Sequence, residues 1–440
     1  MPSLPATNEV KIMRRNLLPV LALLSGTLFL FLGNGLHGLL LPVRGSAEGY
    51  SNEVLGLLGT TWATGFVMGC FFAPKLVMRI GHVRAFSGFV SVIAIISLST
   101  GIIVDQYWWV AVRVLTGFCT AGTSMIVESW LNERATNESR GTIFSFYISI
   151  TLMGVVAGQM LLPVADSMTT IPFMLCGIFY CLAMLPTTLS TAASPQPLKS
   201  VKLDLKSLYR NSPVSCVGIL LIGIANGAYG TLGAVFGARA GMSGGTIAVM
   251  LSLTIFAGAI MQFPAGRFSD AIDRRYVLAA LSSIAALAAV LLVVLQPEAT
   301  PLVIALVVLY GAAANALYPI AVAHANDFAT ADDFVKVSGG LLLLFGIGTI
   351  IGPTVGGPVM TALGPHALFA VTALAHIALT AYALRRTRIR AAIPAGHRGN
   401  VPSIPVAGSP VSTPESLRLD PRAAPLRGQP GENETPDSTT

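Results

Sequence analysis

Seven polar side chains stand inside stretches that are otherwise apolar: Asn34, His37, Arg113, Asn226, Tyr229, Asn315 and His376. Asn34 and His37 are three residues apart, as are Asn226 and Tyr229, so on a helix each pair shares one face. An arginine in hydrocarbon costs at least ~2.5 kcal/mol unless it faces a polar cavity, so Arg113 is expected to point into one. Asn34 and His37 fall at similar depth, and the three are expected to form one polar cluster. The chemistry such groups support is the binding and passage of a small molecule. The alternative for each is pairing with a neighbouring helix. His37 and His376 are of the type that titrates near neutral pH. No Asp or Glu lies near the middle of an apolar segment, so proton coupling has no buried carboxylate to carry it.

Bond-making chemistry finds no such support. The chain has no His-Glu-x-x-His, no glycine-rich phosphate loop and no Gly-x-Ser-x-Gly nucleophile. Cys70, Cys119, Cys176, Cys181 and Cys216 all lie in or beside apolar segments without a Cys-x-x-Cys pair, and read as small packing residues. An enzyme, a metal site and a cofactor are therefore not expected.

The densest charge lies in the stretch from Gly266 to Arg275, which holds Arg267, Asp270, Asp273, Arg274 and Arg275 between two long apolar segments. Only 11% of the chain is charged while 53% is hydrophobic, and mean hydropathy is +0.72. A water-facing domain carries about 25% charged residues, so lipid has to be the solvent here. Segments of roughly 20 apolar residues can cross the bilayer as helices. Twelve are expected, near 17–41, 54–78, 84–104, 107–129, 141–164, 168–189, 214–236, 245–268, 276–296, 300–325, 336–360 and 366–385. With the N-terminus inside, nearly all of the 27 basic residues fall on the cytoplasmic side. Arg44 and Arg239 are the outside exceptions, and Arg113 lies within a span. Basic loops stay on the cytoplasmic side during insertion, so both termini are expected there. The net charge of +7 follows from that orientation, and nucleic-acid binding is not expected.

The chain also echoes itself. Asn34-Gly35 recurs as Asn226-Gly227, while Gly117, Gly154 and Gly158 recur as Gly311, Gly348 and Gly352. Two nearly equal offsets in corresponding spans argue for two six-span halves, with a cavity between them near mid-membrane. The expected organisation is a cytoplasmic lead (1–16), a six-helix bundle (17–189), a cytoplasmic linker (190–213), a second bundle (214–385) and a tail (386–440). The linker carries alternating basic and apolar residues, which fits a short surface helix or a solvated connection. The tail has no Phe, Trp or Tyr and is expected to be disordered.

The charged stretch, Gly266-Arg-Phe-Ser-Asp270-Ala-Ile-Asp-Arg274-Arg275, resembles the signature loop of the major facilitator superfamily in its second-half form. It departs from that pattern at Ala271, where the family has a base, and at Asp273, where it has glycine. In the equivalent first-half loop Arg79 and Gly81 match, but Met78 stands where an aspartate is usual. The resemblance covers roughly residues 17–385 and is closest to the YcaD-like branch of bacterial transporters. It implies an all-α membrane protein of 12 transmembrane helices in two pseudo-symmetric six-helix bundles. It also implies that Asp270 caps a helix at the cytoplasmic gate, with Arg274 and Arg275 paired to acids on neighbouring helix ends. Glu128 is the expected partner of Arg79 or Arg84. Arg113 and Gly117 match the family's span-4 motif. Gly348, Gly352, Pro353, Gly356 and Gly357 in span 11 resemble the glycine-rich motif that facilitator antiporters carry in span 5, where this chain has only Gly154 and Gly158.

The function expected is alternating-access transport of a small organic molecule, secondary active or facilitative, with export favoured. Metabolite uptake and a transporter-like sensor or scaffold are the alternatives. Expected partners are the small-molecule substrate, the lipid bilayer of a bacterial inner membrane and, as an open question of coupling, protons. The expected state is a monomer.

Overall fold

The computed structural model describes residues 6–135, 140–188, 205–328, 334–389, 413 and 415. The described residues are almost wholly helical. The first half holds α1 (Ala6–Ala47), α2 (Asn52–Ile80), α3 (His82–Ile102), α4 (Gln106–Arg134), α5 (Arg140–Met160) and α6 (Ile171–Thr188). A short α7 (Leu205–Asn211) leads to the second half. That half holds α8 (Pro213–Arg239), α9 (Gly244–Ala271), α10 (Arg274–Leu295), α11 (Thr300–Asn326), α12 (Phe334–Leu363) and α13 (Leu368–Ile389). Eleven of these helices are long and apolar enough to cross a membrane, and α6 is a shorter apolar helix. The fold is thus the expected one of twelve apolar helices in two bundles.

Local chemistry sets where the helices begin and end. The side chains of Ser51, Asp105 and Ser243 accept hydrogen bonds from the backbone N–H groups of Val54, Trp108 and Thr246, satisfying donors that the first turn leaves free. Asp273 does the same for Arg275 at the start of α10, over 3.0 Å. Gly81 separates α2 from α3 with φ of 87°, a conformation that a side chain would strain.

The two halves pack by the same rule. In the first, α1 and α5 approach until a Cβ on Gly158 would overlap the carbonyl oxygen of Leu32. In the second, α8 and α12 approach so that a Cβ on Gly352 would overlap the carbonyl oxygen of Ile224. Lipid offers no hydrophobic drive for helix association, so close backbone contact and dispersion take its place. Gly117 on α4 meets the backbone of α2, and Gly311 on α11 meets Thr254 of α9. The sequence echo is therefore a packing echo.

The bundles join at the end away from Ala6 of α1 and Ile389 of α13. There Thr60 Oγ1 of α2 lies 2.9 Å from Thr354 Oγ1 of α12. Gly56 faces the carbonyl of Pro353, and Arg239 donates to Tyr50 O (2.6 Å) and Asn52 Oδ1 (3.3 Å).

Two expected boundaries change. Helix α1 already begins at Ala6, so the expected lead 1–16 is mostly helix, and α13 continues to Ile389. Within the expected linker 205–211 is helical, which is one of the two forms its residue pattern fits. The expectation of a disordered tail is corrected at two residues. Thr413 and Glu415 are buried, the Thr413 hydroxyl donating to Glu128 Oε2 and the Glu415 carbonyl accepting from Asn132 Nδ2 at 2.9 Å. Polar groups at the end of α4 hold them, a partner that tail composition does not reveal. The rest of 390–440 lies outside the described residues.

Candidate functional site

Between the bundles lies a cavity of about 380 Å³, to which both halves contribute. From the first half come Asn34 and His37 of α1, Trp62 of α2, Arg113 of α4, Gln159 of α5 and Tyr180 of α6. From the second come Asn226 and Tyr229 of α8, Thr254 and Gln262 of α9, and Tyr310 and Asn315 of α11. The lining contains no Asp, Glu or Lys.

Arg113 is the charged group of this lining. Its Nε donates to the carbonyl oxygen of Leu58 over 3.2 Å, using a backbone acceptor on α2 to orient the side chain. The guanidinium carbon lies 5.8 Å from the ring centre of Trp62, which itself stacks on Phe66. This is within the range where an aromatic face attracts a cation. The terminal guanidinium nitrogens take no hydrogen bond or ion pair from the described residues and are left for the cavity.

Around Arg113 the first-half polar groups are partly committed. Tyr180 donates to Asn34 Oδ1 over 3.0 Å, while Asn34 Nδ2 is buried without a partner among the described residues. His37 is buried, its ring edge-on to Phe173 and its Nε2 unpartnered among the described residues. The three expected cluster residues therefore line one cavity and do not hydrogen-bond one another. In the second half the Tyr229 hydroxyl lies 3.1 Å from Thr254 Oγ1, and Asn315 Nδ2 donates to the Thr254 carbonyl over 3.4 Å. Gln159 Oε1 accepts from Ser252 over 3.0 Å, a polar contact that crosses between the bundles.

His376 is the expected cavity residue that the structure places elsewhere. It is wholly buried against Tyr310, ring centres 5.7 Å apart, and is absent from the lining. The side chain turns toward Tyr310 in the interior of its own bundle. Trp62, Gln159, Tyr180, Thr254, Gln262 and Tyr310 line the cavity without having been singled out by sequence. Aromatic and amide residues within spans were the signal available for most of them.

The loop charges form a second cluster, at the face bearing the chain termini. Arg274 is buried and bridges two helix ends. It donates to Asp270 Oδ1 (2.9 Å), to Ser269 Oγ (2.9 Å) and to both carboxylate oxygens of Asp327 at 2.7 and 3.2 Å. Arg275 pairs with Asp273 and donates to the backbone oxygen of Arg386 over 2.9 Å, tying α10 to the end of α13. Asp273, the departure from the signature pattern, thus has work as both helix cap and counter-ion. Burial raises its pKa, but the hydrogen bonds and charge of Arg275 outweigh that and hold it below the ordinary value. Asp327 was not anticipated.

The first-half loop is looser. Arg79 and Arg84 are exposed, as is Met78, and Gly81 forms the turn. Among the described residues no ion pair joins Glu128 to Arg79 or Arg84, the expected partners. Glu128 is fully buried and accepts from the Tyr147 hydroxyl at 2.9 Å as well as from Thr413. Helix α4 turns its carboxylate inward toward α5, away from the exposed guanidinium groups. Among the packing residues, Gly348, Gly352, Gly356 and Pro353 lie along the α8 and α2 contacts of α12, and a Cβ on Gly357 would meet the backbone of Asn52. Gly266 is buried near the end of α9.

Comparison with known proteins agrees with this architecture. The family model described as Major Facilitator Superfamily matches residues 23–243 and 214–426. An uncharacterized MFS-type transporter of Yersinia pestis (strain Pestoides F) is 26% identical over 359 residues, covering 81% of this chain and 92% of that protein. The uncharacterized MFS-type transporter YcaD of Escherichia fergusonii is 26% identical over 372 residues, covering 84% of this chain and 96% of its own. Among solved structures, the nucleoside transporter NupG superposes with a TM-score of 0.68 at 15% identity, covering 84% of this chain and all of NupG (100%). A bacterial homolog of the human lysosomal transporter Spinster, in an inward-facing and occupied conformation, gives 0.69 at 16% identity, covering 91% of this chain and 100% of that one.

Proposed function

The chain belongs to the major facilitator superfamily, and from that premise we propose that it moves a small organic molecule across the membrane by alternating access, with export favoured. The observation that carries this reading is the central cavity, built from both bundles and sealed at one end by contacts between them. A rigid-body rocking motion that opens Thr60 from Thr354 would expose the same cavity to the opposite side. The basic loops support a cytoplasmic placement of the face bearing the termini, in a bacterial inner membrane. On that placement the described state is closed toward the outside. Asp270, Arg274 and Arg275 are the gate charges of this reading, and among the described residues their ion pairs lie within the second bundle.

The test is a comparison of extracellular metabolites from cells producing the protein and cells carrying an empty vector. A compound that accumulates outside supports export; one depleted from the medium supports uptake. No difference over a broad set of compounds would count against transport and for a sensor or scaffold. Deleting residues 391–440 separates that last alternative, since loss of a phenotype with flux intact would assign the function to the tail.

A further inference from the structure

The transport reading leaves the substrate class open, and the cavity itself narrows it. We infer that the cavity selects small organic monoanions, carboxylic acids with an apolar or aromatic body, and that Arg113 pairs with the carboxylate. This inference rests on the proposed transport function.

Charge balance is the first argument. Arg113 is the charged side chain among the lining residues, and no lining carboxylate neutralises it. Its side chain is fixed at Nε by the Leu58 carbonyl, while the terminal nitrogens have no protein acceptor among the described residues. Guanidinium presents two parallel N–H donors that match the spacing of carboxylate oxygens. An uncompensated cation in a low-dielectric site is costly, and a bound anion removes that cost. A monoanion leaves the pair neutral, whereas a dianion would carry one excess charge into the same poorly solvated space. A cationic substrate would meet the Arg113 charge with no acidic partner to offset it.

Shape and lining supply the second argument. At about 380 Å³ the cavity lies at the lower end of the usual small-molecule range, ~300–1,000 Å³. Its surface is mainly apolar, with Trp62 beside the guanidinium and Tyr180, Tyr229 and Tyr310 elsewhere in the lining. Besides Arg113 and the imidazole of His37, the polar side chains of the lining are amides and hydroxyls and the indole of Trp62, which can hydrogen-bond a ligand without adding charge. An amphipathic acid fits this division, with its head at Arg113 and its body among the rings.

The experiment uses the purified full-length protein and probes that share one body but differ in the head: phenylbutyrate, phenylbutanol and phenylbutylamine. Phenyl phosphate serves as the dianionic comparison. Binding is read by thermal shift, and by quenching of intrinsic tryptophan fluorescence, to each probe's solubility limit. The expected result is binding of phenylbutyrate, at least roughly tenfold tighter than the alcohol, with no binding of the amine. Arg113→Gln is expected to weaken the carboxylate by roughly tenfold to a hundredfold, the range for a hydrogen bond to a charged group, and to leave the alcohol unchanged. Equal or tighter binding of the alcohol, amine or phosphate overturns the inference, and so does absence of carboxylate binding. The wild-type series decides this even if Arg113→Gln fails to fold. Flux in proteoliposomes separates the two readings. Acids bound but never moved would sink transport alone, while movement of amines or neutral compounds with acids excluded would sink the anion assignment alone.

Discussion

Arg274 at the start of α10 and Asp327 just beyond α11 form a two-point ion pair, Nε to Oδ2 at 2.7 Å and Nη2 to Oδ1 at 3.2 Å. Both side chains are buried, at 1% and 6% exposure, so removing one partner takes a two-point counter-ion from the other. Breaking a buried pair costs about 3–5 kcal/mol, whereas replacing both partners by apolar residues is often close to neutral. Arg274→Ala is therefore expected to lower the thermal midpoint in detergent sharply. The double replacement Arg274→Met with Asp327→Leu should recover most of the loss. If the double variant is as unstable as the sum of the singles, the pair is not the source of the stability at this face.

The same pair shows what sequence could reach. Arg274 was legible because charge is scarce in this chain and its loop follows a known pattern. Asp327 was not, because only the packing of α11 beside α10 brings it near. The two halves were legible from glycine spacing, since carbonyl contact between helices admits almost nothing larger. Arg113 announced itself by cost. His376 packs on Tyr310 within its own bundle, and because a helix turns about 100° per residue, a position along the span does not fix which way a side chain points. Position at the cytoplasmic end of span 4 made Glu128 the expected partner of Arg79 or Arg84, while α4 points it toward Tyr147.

Gly158 and Gly352 occupy corresponding contacts, where a Cβ would overlap a carbonyl oxygen of the facing helix. Overpacking a well-filled contact costs typically ~1–3 kcal/mol, and more where the obstruction is backbone. Gly158→Leu and Gly352→Leu are each expected to reduce folded protein recovered from membranes. Gly88 has open space around it, so Gly88→Ala should be neutral or slightly stabilising through helix propensity. Fluorescence-detected size exclusion measures all three, and equal recovery of Gly158→Leu and Gly88→Ala would refute the close-contact account.

His376 is buried with neither ring nitrogen partnered among the described residues and its ring against Tyr310. A buried polar group without a hydrogen bond is a net cost, so an apolar ring of similar size should serve as well or better. His376→Phe is expected to match or exceed the parent's thermal midpoint and to leave flux unchanged. Flux lost at full abundance would restore His376 to the transport route.

Thr60 and Thr354 mark the closed end, their hydroxyl oxygens 2.9 Å apart across the two bundles. Beside them Gly56 lies against the Pro353 carbonyl, so α2 and α12 have little room to slide without separating. If alternating access is the mechanism, this contact must break once per cycle. Thr60→Cys with Thr354→Cys, in a chain whose native cysteines are replaced, is expected to form a disulfide under oxidation. That bond should stop flux, and reduction should restore it. Each single replacement should transport under both conditions, because one thiol has nothing to bond. Undiminished flux through protein shown by mass spectrometry to be fully crosslinked would mean that this end does not open during transport.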